Sequence, residues 1–375
     1  MGKKLSMRNI TKRYPGVVAL DNVSIEIEPG EVHALVGENG AGKSTLMKCL
    51  FGIYSKDSGH IYLDGKEIDF KSSREALDNG VAMVHQELNQ ALKRTVMDNI
   101  WLGRYPLVKK GLPFVSDKQS YADTKKVFDD LGINVNPKTV MSTMPVSQRQ
   151  MVEIAKAVSF NSKVIVFDEP TSSLTEQEVE HLFRIINMLR DRGCGIIYIS
   201  HKLAEVKEIC DEIAVLRDGT LVSVSPASEL DPPEMARRMV GRELSRMFPD
   251  SPSNPPGTPA LEVEHLSSGR AVRDVSFVLR HGEILGVAGL AGAGRTEMAE
   301  ALMALRRIDG GTVKVNGRAV RFRRPAEAVA AGLSYLPEDR QGSGILPGFT
   351  IGENITLVSL ARYCRGLLRP AEIRR

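Results

Sequence analysis

A nine-residue segment near the amino terminus has the residue types and spacing of a phosphate-binding loop. It fits the pattern G-x4-G-K-[ST] and comprises Gly37, Glu38, Asn39, Gly40, Ala41, Gly42, Lys43, Ser44 and Thr45. Glycines let backbone N–H groups turn toward a phosphate, and a helix that follows adds the positive end of its dipole. The pattern predicts that Lys43 contacts the β- and γ-phosphates of ATP and that Ser44 is a ligand of Mg²⁺.

A pair of acidic residues stands at the end of an apolar run farther along the chain. Residues 164–167 are all apolar, and Asp168 and Glu169 follow them directly. Such a run is typical of a parallel strand that is buried on both faces. We expect Asp168 to hold Mg²⁺ through water and Glu169 to polarise the attacking water as a general base. A pair that only caps the strand is the alternative, which the phosphate loop upstream disfavours.

One histidine ends another short β-rich run. His201 follows residues 194–200, CGIIYIS. Ligands of open α/β sheets gather at the carboxyl ends of the strands, so His201 is a candidate sensor of the γ-phosphate. A purely structural histidine is the alternative.

The elements that must position these residues predict an α/β fold. Residues 31–36 form a buried strand before the loop, and residues 45–51 start a helix after it. This strand–loop–helix context is what the motif requires. We expect a P-loop NTPase core sheet with helices on both faces. An amino-terminal antiparallel β patch and a helical subdomain over about 88–162 should accompany it.

The chain repeats itself at long range. Residues 19–45 align with residues 271–297 without a gap, at an offset of 252. The offset predicts a second, degenerate nucleotide site at Gly289, Gly292, Gly294, Arg295, Thr296 and Glu338. Arg295 replaces lysine with a wider planar head, and Glu338 replaces Gln86 with a negative charge. Leu266 falls at the aligned position of Tyr14. This copy is expected to bind nucleotide but to hydrolyse it poorly.

A proline-rich segment separates the two copies. Five prolines in residues 249–259 cannot continue a helix or a central strand, so we interpret this segment as a linker. The predicted domains are a first copy over 1–248 and a partial second copy over 260–375. Each copy should have its own core sheet. The second copy is expected to be incomplete, and the chain to be C-terminally truncated.

Composition limits the classes of protein that fit. A net charge of only +4 argues against nucleic acid as the main partner. The four cysteines form no CxxC pair, so neither a metal site nor a disulfide framework is indicated. The sequence predicts neither a signal peptide nor a membrane span, so any membrane role should be peripheral.

In order, the motifs resemble the ATP-binding cassette family over essentially the whole chain. Tyr14 stands upstream of the phosphate loop, and Gln86, Asp168 and His201 follow it. The resemblance implies that Tyr14 lies under adenine and that Gln86 contacts Mg²⁺ or the attacking water. It also implies that His201 is catalytic and that Leu88–Tyr105 receives the coupling helix of a permease. Trp101 and Tyr105 fall in that segment, with core packing as their alternative role.

Further sequence segments resemble those of bacterial sugar importers with duplicated cassettes. Among them are MDNIWLGRYP and LFGIYSKDSGHIYLDGKEIDF, which are most similar to importers of galactose and methyl galactoside. Importers of ribose, xylose and arabinose remain alternatives. The resemblance implies ATP and Mg²⁺ as ligands, integral permease subunits as partners and, indirectly, a periplasmic sugar-binding protein. It places the chain at the cytoplasmic face of the inner membrane.

The signature loop of that family, usually LSGGQ, is altered here. The residues that correspond to the last four positions of that loop are Pro145, Val146, Ser147 and Gln148. Proline offers neither a hydroxyl nor a backbone N–H, so we expect a weak signature. Because the cassettes of this family pair a phosphate loop with a signature, slow hydrolysis by this chain alone is expected. The remaining alternatives are a truncated, hydrolysis-poor nucleotide-binding protein and a soluble duplicated cassette acting on ribosomes or DNA.

Overall fold

Two compact units, Met1–Met247 and Phe248–Arg375, make up the computed structural model. The structure describes residues 3–85, 88–109, 114–241, 257–290, 292–337, 340–365 and 367–368. Each unit has a hydrophobic core of its own. In this part of the chain, none of the helices has the length and apolar character needed to cross a bilayer.

Strands and helices alternate along unit 1. They are β1 Leu5–Tyr14, β2 Val17–Ile27, β3 Val32–Val36, α1 Lys43–Leu50, β4 Ser58–Leu63, β5 Lys66–Ile68, α2 Ser73–Asp78, β6 Val81–Val84, α3 Val96–Trp101, α4 Asp117–Leu131, α5 Val146–Val158, β7 Val164–Asp168, α6 Glu176–Asp191, β8 Gly195–Ile199, α7 Leu203–Ile209, β9 Glu212–Arg217, β10 Thr220–Pro226 and α8 Pro232–Val240.

A six-stranded sheet forms the centre of unit 1, in the order β10-β9-β3-β8-β7-β6. Five strands are parallel, and β10 pairs antiparallel with β9 at one edge. All five residues of β3 and of β8 are buried, as expected for parallel strands covered on both faces. Because β3, β8 and β7 are neighbours, the residues that follow their carboxyl ends meet at one edge of the sheet. The predicted α/β core of the first copy is confirmed.

The predicted antiparallel β patch is a four-stranded sheet in the order β2-β1-β4-β5. Leu5 pairs with Ile27 on one side and with Leu63 on the other. Strands β1 and β2 form a hairpin that turns at Gly16, whose φ of 83° is in the left-handed region that glycine adopts easily. Tyr14 stands at the end of this hairpin.

The helices α3, α4 and α5 lie between β6 and β7 in the chain. A reciprocal capping box between Thr95 and Asp98 starts α3. The Trp101 indole nitrogen donates to Thr124 Oγ1 at 2.9 Å, and the Arg104 guanidinium lies 4.5 Å from the ring centre of Trp101. Trp101 therefore packs α3 against α4, which favours the core-packing alternative for this residue.

Unit 2 repeats the antiparallel sheet of unit 1. Its elements are β11 Pro259–Ser268, β12 Val272–Arg280, α9 Arg295–Leu302, β13 Gly310–Val315, β14 Arg318–Val320, α10 Pro325–Ala330, α11 Ile351–Thr356, β15 Cys364–Arg365 and β16 Leu367–Leu368. The strand order β12-β11-β13-β14 matches β2-β1-β4-β5. Leu261 pairs with Leu279 and Val315, as Leu5 pairs with the corresponding residues of unit 1.

The pairing register corrects the alignment of Tyr14 with Leu266. Leu266 pairs with Val275, whereas Ile10 pairs with Val23, the counterpart of Val275. Leu266 is therefore equivalent to the buried Ile10. Three residues separate the last pair of the unit 2 hairpin, Ser268 and Val272, whereas seven separate its counterpart in unit 1. The end of the hairpin that carries Tyr14 in unit 1 is missing from this shorter turn.

A core sheet was expected in the second copy, and this expectation is wrong for the described part of unit 2. Residues 284–288 correspond to β3 but are not a strand there. The side chain of Ile284 is 95% exposed, whereas its counterpart Val32 is fully buried. In unit 1, β3 is held between β8 and β9. Among the described residues of unit 2, no strand pairs with residues 284–288, so the apolar segment does not form a strand.

Candidate functional site

The phosphate loop connects β3 to α1, as its sequence predicts. Its backbone turns at Gly40 and Gly42, whose φ angles are 88° and 105°. A side chain at Gly37 would place its Cβ 2.3 Å from the Leu216 carbonyl oxygen, and a Cβ at Gly42 would meet Ala19 O at 2.7 Å. Only glycine fits either position. The remaining loop residues, Glu38, Asn39 and Ala41, lie between them, and Lys43, Ser44 and Thr45 form the first turn of α1.

Lys43 lies at the start of α1 with its side chain over the loop. Its Nζ donates to the carbonyl oxygens of Gly37 at 2.6 Å and Glu38 at 3.0 Å. Burial lowers the pKa of Lys43, while the charges of Glu169 and Asp168 oppose that shift. The lysine thus shares its electrostatic environment with both acids. A phosphate held in this loop would meet the Lys43 cation and the amino end of a helix together.

The acid pair stands where β7 ends. Asp168 is the last residue of the strand and pairs with Ile199 of β8. Burial and, to a smaller extent, the charge of Glu169 raise the pKa of Asp168 to about 6, although the charge of Lys43 opposes this shift. Glu169 has a φ of 47°, which is uncommon for a side chain larger than glycine. Its backbone N–H donates to Ile199 O at 2.9 Å, so the turn that carries Glu169 is fixed to β8.

His201 meets the acid pair across the two strands. Its Nδ1 lies 3.1 Å from Glu169 Oε1. The Glu169 side chain is 14% exposed and that of His201 is 64% exposed, so the imidazole faces solvent while the carboxylate is partly enclosed. The structure therefore brings the loop lysine, both acids and the histidine to one edge of the core sheet. This is the arrangement that the strand pattern predicts.

Two predicted residues cannot be placed. Gln86, which follows β6 after His85, lies outside the described residues, as does Glu338 in unit 2. Tyr14 is placed: it ends β1 and is 36% exposed.

The altered signature lies at the start of α5. Pro145 precedes the helix in an extended conformation, and its carbonyl accepts from Arg149 N at 3.1 Å. Val146 is 46% exposed, and Gln148 is also exposed. The Ser147 hydroxyl hydrogen-bonds Glu178 of α6. Proline here leaves the helix intact and presents an apolar surface where the family consensus presents a serine hydroxyl.

The phosphate loop of unit 2, called the second cradle below, has the same turn as the phosphate loop of unit 1, the first cradle. A Cβ on Gly294, whose φ is 90°, would lie 2.4 Å from Ala271 O, just as Gly42 faces Ala19 O in unit 1. Arg295 and Thr296 begin α9, and Gly289 and Gly292 precede it in the loop. In the part of unit 2 that the structure describes, no strand leads into this loop and no acid pair faces it.

A partly buried hydrogen-bond network on the loop after the acid pair is not evident from the sequence. Glu205 of α7 accepts from Thr171 Oγ1 at 2.8 Å, from Tyr198 OH at 3.0 Å and from Lys202 Nζ at 3.0 Å. Lys202 Nζ also donates to Thr171 O at 3.2 Å. This network ties the loop after Glu169 to β8 and α7. The only sequence signal is a tyrosine inside a buried strand, because its hydroxyl requires a polar partner.

The raised pKa of Asp168 predicts a gain in stability when its charge is removed. The pKa in the folded chain is about 6 against an ordinary 3.8, so ionisation lowers the stability of the fold as pH rises from about 4 to 6, and the full loss is present above pH 6. We expect Asp168→Asn to raise the free energy of unfolding at pH 7.5 by on the order of 1 to 3 kcal/mol. The gain should shrink as pH falls from 6 toward 4, where the unfolded chain is also protonated.

Urea unfolding at pH 7.5, 6 and 4.5 measures this effect. Asp130→Asn, at an exposed position on α4, is the control and should change little at any pH. A variant Asp168→Asn that is less stable than the parent at pH 7.5 would contradict the prediction.

Comparisons with known proteins agree with this geometry. The model of the ABC transporter family matches residues 20–172 and 272–373, one segment in each copy. A solved ATP-binding cassette of an ABC transporter in its ADP conformation superposes with a TM-score of 0.54 at 26% identity. It covers 64% of this chain and 96% of its own.

Two curated relatives are more similar in sequence. The galactose/methyl galactoside import ATP-binding protein MglA of Salmonella typhimurium is 52% identical over 361 residues, which are 96% of this chain and 71% of that protein. MglA of Escherichia coli strain K12 is 51% identical over the same shares. A family match in both repeats and identity above half over nearly the whole chain lead to one conclusion: this chain belongs to the ABC transporter family, as a nucleotide-binding ATPase with a duplicated cassette.

Proposed function

We propose that this chain is the ATP-hydrolysing subunit that energises the import of galactose or methyl galactoside. The observation that carries the proposal is the 3.1 Å contact between Glu169 and His201, beside the loop that holds Lys43. An acid and a histidine placed together next to a phosphate cradle suit the activation of water for attack on a γ-phosphate. The solute follows from the names of the relatives that are about half identical; ribose, xylose or arabinose would be the alternatives.

Each side chain of the site has a proposed role. Lys43 neutralises the β- and γ-phosphates, Glu169 takes a proton from the attacking water, and His201 orients the γ-phosphate. Tyr14 stacks on adenine. The roles of Gln86, as a contact of the metal or the water, and of the signature Pro145–Gln148, as the contact with a partner cassette, stay predictions.

The site fits Mg²⁺ by its donor set. Ser44 and Asp168 supply hydroxyl and carboxylate oxygens, the donors that this hard cation prefers. Asp168 lies close enough to Lys43 and Glu169 to respond to their charges. When bound, the cation would neutralise charge on the β- and γ-phosphates. Deprotonation of Asp168 is required for this role, so we infer that nucleotide binding with Mg²⁺ weakens below a pH of about 6.

The two units are proposed to differ in function. Residues 1–248 would form the hydrolysing cassette and residues 260–375 a partial cassette, joined by the linker 249–259. The second cradle retains the turn and an arginine, which suits phosphate binding. The described part of unit 2 offers no acid pair for hydrolysis.

A transport assay tests the proposed function. Cells that contain this chain, its permease and a periplasmic sugar-binding protein should accumulate labelled methyl galactoside, and Glu169→Gln should abolish uptake. Uptake of ribose, xylose or arabinose instead would change the assigned solute. Phosphate release with no dependence on permease and no uptake of any sugar would refute the importer role.

We further propose that the permease docks beside α3, at the cytoplasmic face of the inner membrane. Leu102, Leu107 and Val108 expose 57%, 47% and 67% of their surface close together in the chain. Trp101 and Tyr105 are partly buried, and the Tyr105 hydroxyl donates to Asp98 O at 3.2 Å. The apolar residues between and after the two aromatic residues are therefore the better contacts for a coupling helix.

Leu102→Asp is expected to weaken attachment to permease-containing membranes about tenfold or more, because a charge would be buried in an apolar contact. ATP binding should not change, since Leu102 lies outside the nucleotide site. Co-sedimentation with permease-containing vesicles measures attachment. Val224→Asp, at a residue of β10 that is 42% exposed, is the control. Equal attachment of both variants would place the docking surface elsewhere.

A further inference from the structure

The ring of Tyr14 is held by two neighbours. The ring of Tyr54 meets it edge to face, with 5.9 Å between the centres and 79° between the planes. The ammonium group of Lys12 lies 5.4 Å from the centre of the Tyr14 ring. Both geometries are attractive for an aromatic ring. About a third of Tyr14 is still exposed, which leaves part of its ring free to stack on a base.

Both neighbours are themselves fixed. Lys12 Nζ lies 3.1 Å from Asp57 Oδ1, and the side chain of Lys12 is only 12% exposed. Asp57 Oδ2 also accepts from Arg13 N at 2.6 Å. Tyr54 N donates to Lys48 O at 3.1 Å, and the Lys48 ammonium lies 5.2 Å from the Tyr54 ring centre. Lys12 and Tyr54, which together form the clamp around Tyr14, are therefore each held in place by contacts of their own.

Helix α1 joins this clamp to the phosphate loop. Its first residue is Lys43, and Tyr54 is bonded to its last turn through Lys48 O. Eight helical residues span about 12 Å, and a helix of this length acts as a rigid spacer. The position of the Tyr14 ring is thereby set relative to the amino end that would receive the phosphates.

We propose that Tyr54 is a positioning residue that holds Tyr14 as the base platform and so links base binding to phosphate binding through α1. The proposal rests on the function proposed above, in which Tyr14 stacks on adenine. In this role Tyr54 acts through Tyr14 and needs no contact of its own with the nucleotide. Its contribution is a pre-set orientation of Tyr14, so it affects only ligands that carry a base.

A merely structural Tyr54 makes a different prediction. Tyr54 also packs against the core that contains α1 and the antiparallel sheet. Loss of that packing would lower stability and weaken every ligand of the cradle to the same degree. A ligand without a base therefore separates the two roles.

The test titrates ATP and inorganic tripolyphosphate against the 375-residue chain, with Arg295→Ala present throughout to disable the second cradle. Tyr54→Ala should weaken ATP binding about two- to tenfold, the range for loss of one aromatic pair, and leave tripolyphosphate binding unchanged. Tyr54→Phe retains the ring and should bind ATP like the parent. In a Tyr14→Ala background, Tyr54→Ala should have no further effect on ATP.

The controls separate the possible failures. Tyr62→Ala removes an aromatic residue that contacts Arg8 and His60 on the same sheet, and it should not change either ligand. Equal weakening of ATP and tripolyphosphate by Tyr54→Ala, or additive effects with Tyr14→Ala, would overturn the positioning role. If Tyr14→Ala itself leaves ATP binding unchanged, the base platform of the proposed function fails instead. Melting temperatures show whether each variant is folded.

Discussion

Replacing Glu169 with glutamine is expected to lower the rate of phosphate release about 10²- to 10⁴-fold, the usual contribution of a general base. ATP binding should stay within a factor of two or so of the parent. The amide has nearly the shape of the carboxylate but cannot accept a proton from water. Of the expected effects on turnover alone, this is the largest.

The reason lies in the surroundings of Glu169. The side chain is only 14% exposed, and His201 approaches it at 3.1 Å, so the carboxylate has a fixed orientation. The turn that carries it is anchored to β8 by Glu169 N. The Glu205 network ties the loop that follows Glu169 to β8 and α7. A base that is oriented in this way loses its proton-accepting oxygen in the variant without moving the backbone.

Phosphate release at saturating ATP and Mg²⁺ measures the effect, and equilibrium binding of a fluorescent ATP analogue checks the site. Glu208→Gln, at an exposed position on α7, is the matched control and should be fully active. If Glu169→Gln retains a third or more of the parent rate, the base is another group and the proposed mechanism is wrong.

The sequence predicts much of this site because its parts are local. The loop Gly37–Thr45 is a continuous motif, and its geometry depends on glycines at fixed positions. Asp168 and His201 each follow an apolar run, and the carboxyl ends of parallel strands meet by topology. Convergence of Lys43, Glu169 and His201 therefore follows from the strand pattern and does not require knowledge of side-chain packing.

The features that sequence reasoning misplaced depend on pairing between distant residues. Leu266 aligns with Tyr14 by offset, but a hairpin that is four residues shorter makes it equivalent to Ile10. Residues 284–288 have the composition of a buried strand, yet a parallel strand needs neighbours that no local pattern can reveal. Tyr54 has no motif at all, and only the packing of α1 against the hairpin shows its contact with Tyr14.

The second large effect is expected for Lys43→Ala, which should lower the affinity of the first cradle for ATP about 100-fold or more. Hydrogen bonds to a charged group contribute about 1.5 to 3 kcal/mol each, and a lysine at this position can make two with phosphate oxygens. The variant also leaves Asp168 and Glu169 without the cation that offsets their charges. Repulsion between these acids and the phosphates would then add to the loss.

The second cradle provides both a complication and a control. Arg295 occupies the position that corresponds to Lys43, so Lys43→Ala alone could leave one bound nucleotide per chain. Binding should therefore be measured by calorimetry with its stoichiometry, in the parent and in the Arg295→Ala background. Lys66→Ala, at an exposed lysine on β5, should not change either quantity. Lys43→Arg should recover only part of the affinity, because a planar guanidinium does not fit the space of an ammonium group.

If Lys43→Ala together with Arg295→Ala still binds ATP within fivefold of the parent, neither loop holds the phosphates. Because the turns at Gly42 and Gly294 are built alike, a loss confined to Lys43→Ala would show that lysine and the acid pair, rather than the loop backbone, make the first cradle the stronger site.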